Sequence, residues 1–171
     1  MTSRLSIPDT YVNNQLIDAD HMNTYVRTNL SSIDSGYGCR VATAISQDIT
    51  DSTWTALTFD AETFDDETMH DNSTNPSRIT IKSAGRYLIT GSLLYNQTNS
   101  AGNRVAAIYV NGVVYSYGFA KNAGNGANVD YVGVSDVIVA AANDYVELYT
   151  YQTSGATRTV TTRRFSVTKY I

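Results

Sequence analysis

Asn111-Gly112 stands between two apolar runs, residues 105–110 and 113–117, and this dipeptide constrains the chain more than any other feature in it. An Asn-Gly pair flanked by alternating apolar residues specifies a two-residue type I′ hairpin, because both positions tolerate positive φ. Other segments share the period-two pattern and read as strands: residues 40–45, 54–59, 78–81, 86–95, 131–140, 145–151 and 164–170. Ser83-Ala84-Gly85 and Asn143-Asp144 supply turns between them. About eight to ten strands with no helix between them point to an all-β sandwich or jelly roll. The length, 171 residues, suits one such domain with a short appendage.

That appendage is residues 1–36, which hold the helical pattern. Asp18 is placed as an N-cap, and Asp20 adds negative charge in the first turn, where the helix dipole favours it. Met22, Val26, Leu30 and Ile33 recur at spacings of four, four and three, on one helical face, and Ser35-Gly36 ends the pattern. A helix of about four turns is marginal alone, so this face needs a cover. The cover is the chain's own β-domain, sister helices in an oligomer, or another protein. Docking onto another protein is favoured, with Leu16, Met22, Val26, Leu30 and Ile33 as the docking residues.

Strand faces carry the next expectation. In residues 145–151, Val146 and Leu148 share one face while Tyr145, Tyr149 and Tyr151 share the other. In residues 86–95, Leu88 and Leu94 oppose Tyr87, Ile89, Leu93 and Tyr95. A monomeric sandwich usually wets its outer face. A second apolar face points to a subunit interface rather than a sheet covered by loops. Tyr87, Ile89, Tyr149, Tyr151 and Phe165 are the residues expected to build it.

Chemical signals are sparse. The formal net charge of -4 and pI of about 5.0 give no basic footprint for nucleic acid. Cys39 is the only cysteine, which excludes an internal disulfide and reads as a small buried apolar residue. No stretch resembles a signal peptide or reaches membrane-spanning length, so the chain is expected to be made in the cytoplasm without membrane insertion. His21 and His70 lie in different regions, and no nucleophile-elbow, phosphate-loop or zinc motif occurs. The expectation is therefore binding without catalysis or cofactor. The acidic loop of Asp60, Glu62, Asp65, Asp66, Glu67, His70 and Asp71 is the best calcium candidate, but it lacks EF-hand spacing and is read as a solvated turn with no metal. The Gly- and Asn-rich stretch 121–128 follows Tyr115, Tyr117 and Phe119 and reads as an exposed loop. Tyr117, Phe119, Asn122 and Asn125 could there form a distal contact surface, with a plain solvent loop as the alternative.

Several of these residues, in order, resemble a known family. Trp54, Leu57, Phe59 and Asp60, followed by Phe64 and Asp65, are similar to a motif of the globular heads of complement component one q. The run from Pro76 through Gly85 to Leu88 resembles that family's strand, turn and tyrosine-bearing strand, with Ser83 where the family has its turn proline. Ile108-Tyr109-Val110-Asn111-Gly112 is similar to its hairpin, residues 137–146 to a later strand pair, and residues 165–171 to its closing strand. Asn143-Asp144 replaces the family's Gly-Asp turn, and Val167 stands where its closing strand has glycine. The resemblance covers about residues 38–171. It implies a ten-stranded jelly roll of tumour-necrosis-factor type, trimeric about a threefold axis and used for recognition.

A second resemblance lies in the appendage. Tyr11-Val12-Asn13, the run from Leu16 to Asn23, and Val26-Arg27-Thr28-Asn29-Leu30 look like the leader of tailed-phage virion proteins, with Asn14 and Thr28 departing from its usual Gly and Asp. Together the resemblances imply a bacteriophage virion surface protein. Residues 1–36 would dock to capsid or tail proteins of the same particle, and residues 38–171 would form a homotrimeric knob. The knob would be a capsid decoration, head fibre or minor tail protein, contacting a host cell-surface glycan or protein. A binding module that works free of any particle is the competing expectation.

Overall fold

The Asn111-Gly112 turn forms with φ of 51° and 77°, and Val110 faces Val113 directly across it. This hairpin belongs to a computed structural model that describes residues 20, 23, 26, 37–96, 101–118, 121, 122 and 129–170. Among these residues there are twelve strands: β1 (Gly38–Thr43), β2 (Gln47–Ile49), β3 (Thr55–Ala56), β4 (Ala61–Asp65), β5 (Arg78–Thr80) and β6 (Gly85–Asn96), then β7 (Asn103–Val110), β8 (Val113–Tyr117), β9 (Lys121–Asn122), β10 (Val129–Ala140), β11 (Tyr145–Gln152) and β12 (Arg158–Tyr170). The excess over the ten expected comes from pieces of two or three residues such as β2 and β9, which are too short to show a period.

The strands form two antiparallel sheets. The first runs β10-β6-β12-β1-β4, with β2 paired to β12; the second runs β3-β11-β7-β8, with β5 paired to β11 and β9 to β7. Chain-distant strands meet in the first sheet, where Val41 of β1 faces Phe165 of β12. Between the sheets lies one apolar core, to which the first contributes Val41, Tyr87, Ile89, Leu93 and Phe165 and the second Ile108, Val146 and Leu148. Each fully buried side chain of this kind contributes about 1.5–3 kcal/mol. Gly91 lets the sheets approach closely there, since a Cβ on it would lie 2.5 Å from Leu148 Cδ1.

This core corrects the expected interface. Tyr87, Ile89 and Phe165 are fully buried within the subunit and cannot contact another. Alternation correctly grouped Tyr87 with Ile89, but a period of two says only which residues share a face, not which face turns inward. Tyr87 can be buried because its hydroxyl donates to the Ser83 carbonyl at 2.6 Å. The expected strand at 40–45 ends at Thr43, leaving Ile45 62% exposed on a bend. Cys39 is buried, as its surroundings in the sequence implied, and burial followed by the nearby Asp65 pushes its thiol up to about 12.

Candidate binding surfaces

Each sheet has an outward face, and the two faces differ in chemistry. On the first sheet the face is polar at its centre, with Arg40, Thr90, Ser92, Arg164 and Ser166, and apolar toward its β10 edge. Along the edge strand β10, Tyr131, Val137 and Val139 point outward, with Val139 78% and Tyr131 71% exposed. Val137 faces Leu88 of β6, which also points out, and Arg86 lies between Val139 and the exposed Tyr170 of β12. An exposed apolar row of this kind on a twelve-residue edge strand is unusual for a free surface.

The second sheet's outward face is aromatic. Trp54, just before β3, lies 5.1 Å from the Tyr151 ring, 5.7 Å from Tyr117 and 6.1 Å from Tyr109. Tyr109 in turn stacks on Tyr149 at 3.9 Å. Register explains the cluster. Tyr149 pairs with Ala107, Ala107 with Tyr117, and Tyr149 with Ala56, so alternate outward positions on four strands converge. Ala107 points outward between these rings and is nevertheless fully buried beneath them. Loss of water raises the Tyr109 and Tyr149 phenols, with Tyr117 adding to the first and Glu147 to the second.

At one end of this roof sits a charged pair. Glu147 of β11 faces Arg78 of β5, and its Oε1 accepts from Arg78 Nε at 3.3 Å and from Ser77 Oγ at 2.7 Å. The Arg78 guanidinium also covers the Tyr145 ring at 4.0 Å. Glu147 is only 4% exposed.

Several other ionisable groups are engaged in holding the fold. Arg163 donates to the carbonyls of Thr58 and Ile45 at 2.7 and 2.8 Å, tying two loops to β12. Arg104 and Asp130 are both fully buried; burial depresses the guanidinium, and the Asp130 carboxylate counters that effect. In the acidic segment, Asp65 accepts from the backbone of Met69 and His70, and Asp66 from that of Gly38. Asp71 accepts from Ser73 and Thr74, which holds its carboxyl far below the usual carboxylate range. These carboxylates cap their own turns, and residues 61–65 form β4 rather than a loop. Among the described residues no group of three His, Cys, Asp or Glu side chains is placed to hold a metal. His70 donates from Nδ1 to the Arg78 carbonyl at 2.8 Å.

The expected residues therefore fall in several places. Tyr149 and Tyr151 lie on the second sheet's outward face, apart from Tyr87, Ile89 and Phe165 in the core, so the five do not form one surface. Tyr117 is exposed beside Trp54. Asn122 belongs to β9, paired with Asn103, while Phe119 and Asn125 lie outside the described residues. Of the docking set only Val26 is described, at 43% exposure; Leu16, Met22, Leu30 and Ile33 lie outside. Tyr131, Val137 and Val139 were missed as surface residues, although their even spacing, six and two residues apart, was visible in the sequence.

The arrangement as a whole is similar to that of solved structures. The fold is shared with the globular domain of zebrafish complement 1qA protein, at a TM-score of 0.59 and 11% identity over 80% of this chain and 98% of that one. Murine APRIL at pH 8.0 matches with a TM-score of 0.53 and 9% identity over 80% of this chain and all of that one. Its pH 5.0 structure gives 0.54 and 8% over the same shares. The chain has a two-sheet jelly-roll fold like that of these two proteins. No protein-family model matches it, and no curated protein matches it in sequence.

Proposed function

We propose that the chain is the subunit of a homotrimeric binding module carried on the surface of a bacteriophage particle, as a capsid decoration, head fibre or minor tail protein that helps attach the particle to its host. The observation that carries the trimer is the exposed apolar row of Tyr131, Val137 and Val139 with Leu88 and Tyr170. A second and third copy of this chain would remove it from water, and the shared fold is the one whose sequence resemblance implies threefold assembly. Closed symmetry would also present three copies of any weak site together, multiplying its hold on a repetitive surface.

Attachment to a particle through residues 1–36 is supported by the resemblance of residues 11–13, 16–23 and 26–30 to a phage leader. Binding rather than catalysis is supported by the structural use of Asp65, Asp66, Asp71 and Arg163, which cap turns or tie loops. Two measurements test the reading. Light scattering on the full chain should give three times the subunit mass. Phage carrying a deletion of residues 1–36 should yield virions lacking the protein, whereas normal incorporation would refute docking through this segment.

A further inference from the structure

We propose that the aromatic roof on the second sheet is a platform for a neutral oligosaccharide, with Trp54, Tyr149 and Tyr151 as stacking rings and Glu147 as an acceptor for sugar hydroxyls. This deepens the recognition reading by naming a ligand class, and it uses residues on a different face from those that would join subunits.

The rings are fixed before any ligand arrives. Trp54 is held among Tyr109, Tyr117 and Tyr151, and Tyr109 is stacked on Tyr149. Little side-chain freedom then remains to be lost on binding. Aromatic faces carry partial negative charge, and the C–H bonds on one side of a pyranose carry the complementary partial positive charge. A sugar therefore lays that side on a ring and turns its hydroxyls outward or toward the rim. The outward positions of β11 run from Tyr145 to Tyr151, six residues or about 20 Å at the rise of a strand. That length suits a chain of sugars better than a single one.

Glu147 supplies direction. It is 96% removed from solvent, and both of its described hydrogen bonds fall on Oε1, from Ser77 and Arg78. Its Oε2 keeps lone pairs for a hydroxyl donor beside Tyr149, and a charged acceptor makes such a bond stronger than a neutral one. Arg78 balances the carboxylate, and the remaining outward residues of β11 and β7 are uncharged: Tyr145, Tyr149, Tyr151, Val105, Ala107 and Tyr109. The patch thus has no net charge with which to clamp a phosphate, sulfate or carboxylate. Neutral sugars fit its electrostatics, and the apolar row along β10 across the sandwich is the better match for a protein surface.

Trp54 is the chain's only tryptophan, so its emission reports on the platform alone. The full chain is titrated with neutral hexasaccharides of glucose, galactose, mannose and rhamnose, in parallel with sialylated and phosphorylated oligosaccharides. A saturable change in emission with at least one neutral probe is expected. Calorimetry should show that probe binding about tenfold or more weakly to Tyr149→Ala and Glu147→Gln. Tyr117→Ser, at an already exposed ring, gives a variant whose fold is least disturbed and should also weaken binding. No response to any neutral probe, a response to charged probes alone, or unchanged affinity in the folded variants would overturn the proposal. A change in assembly mass on Tyr117→Ser would make the roof a subunit contact and overturn it equally. If the parent chain is monomeric yet its Trp54 responds to a neutral probe, the trimer reading fails while the platform stands.

Discussion

Asn111 Nδ2 donates to Asp144 Oδ1 across 2.8 Å, and Asn111 Oδ1 accepts from the Tyr145 backbone at 3.0 Å, so one side chain joins two turns. Asn111 also adopts a φ of 51°, in the left-handed region. Asn111→Gly keeps the dihedral and loses the side-chain bonds, at a cost of about 1 kcal/mol. Asn111→Ala loses both, at a further cost of about 1–2 kcal/mol. Urea midpoints should fall in the order parent, Gly, Ala; equal midpoints for the two variants would refute the strain component.

Acid should destabilise the domain through a few turn-capping carboxylates. The Asn111 amide, then the Ala141 N–H, holds Asp144 below the usual carboxylate range. The Gly155 N–H, then the Ser52 hydroxyl, does the same for Asp51, and the Ser73 and Thr74 N–H groups hold Asp71 lower still. A depressed carboxylate contributes stability that is present above its unfolded value near 3.9 and lost as pH falls through the folded one. The thermal midpoint should therefore fall steadily below about pH 4. Asp71→Asn, which keeps the acceptor but cannot titrate, should flatten that fall, and a midpoint that rises with acid would contradict the assignment.

Core and interface can be separated by a pair of substitutions. Ile89→Ala removes a fully buried side chain and should cost about 2–5 kcal/mol while leaving the assembly mass of the folded protein unchanged. Val139→Asp should do the reverse, lowering the mass to that of one subunit with little change in far-ultraviolet circular dichroism. An unaltered mass for Val139→Asp would remove the β10 face from the interface.

Cys39 should be chemically silent in the folded chain. Its thiol is buried and pushed up to about 12, first by burial and then by Asp65, Glu62 and Asp66, and the thiolate is the reactive form. At pH 8 a disulfide reagent should release almost no chromophore from the native protein and one equivalent in denaturant. Rapid native labelling would show that β1 opens readily.

The sequence made some of this fold legible and concealed the rest for physical reasons. The Asn111-Gly112 hairpin was visible because its turn chemistry is local, and β6 because alternation persists from Arg86 to Tyr95. Which side of β6 meets the core depends on the second sheet, so Tyr87 and Ile89 were assigned to the wrong surface. β2 hid because its partner, residues 158–160 of β12, lies far along the chain. The residues around Trp54 were legible singly: alternation placed Tyr149 and Tyr151 on one face. Their meeting with Trp54, Tyr109 and Tyr117 was not, because it depends on registers between β3, β11, β7 and β8 that no single segment encodes.

Pairing of β1 with β12 also imposes an order on biosynthesis. Gly38 faces Thr168, and at about 5–20 residues per second a ribosome makes them on the order of ten seconds apart. During that interval β1 lacks its central neighbour, and β6, once made, gains β10 on one side before β12 can fill the other. The surface that joins the β10 row to Tyr170 is complete only after β12 has emerged. Copies of the chain would then meet as finished subunits, so the yield of assembled protein should depend on how many released chains are present together.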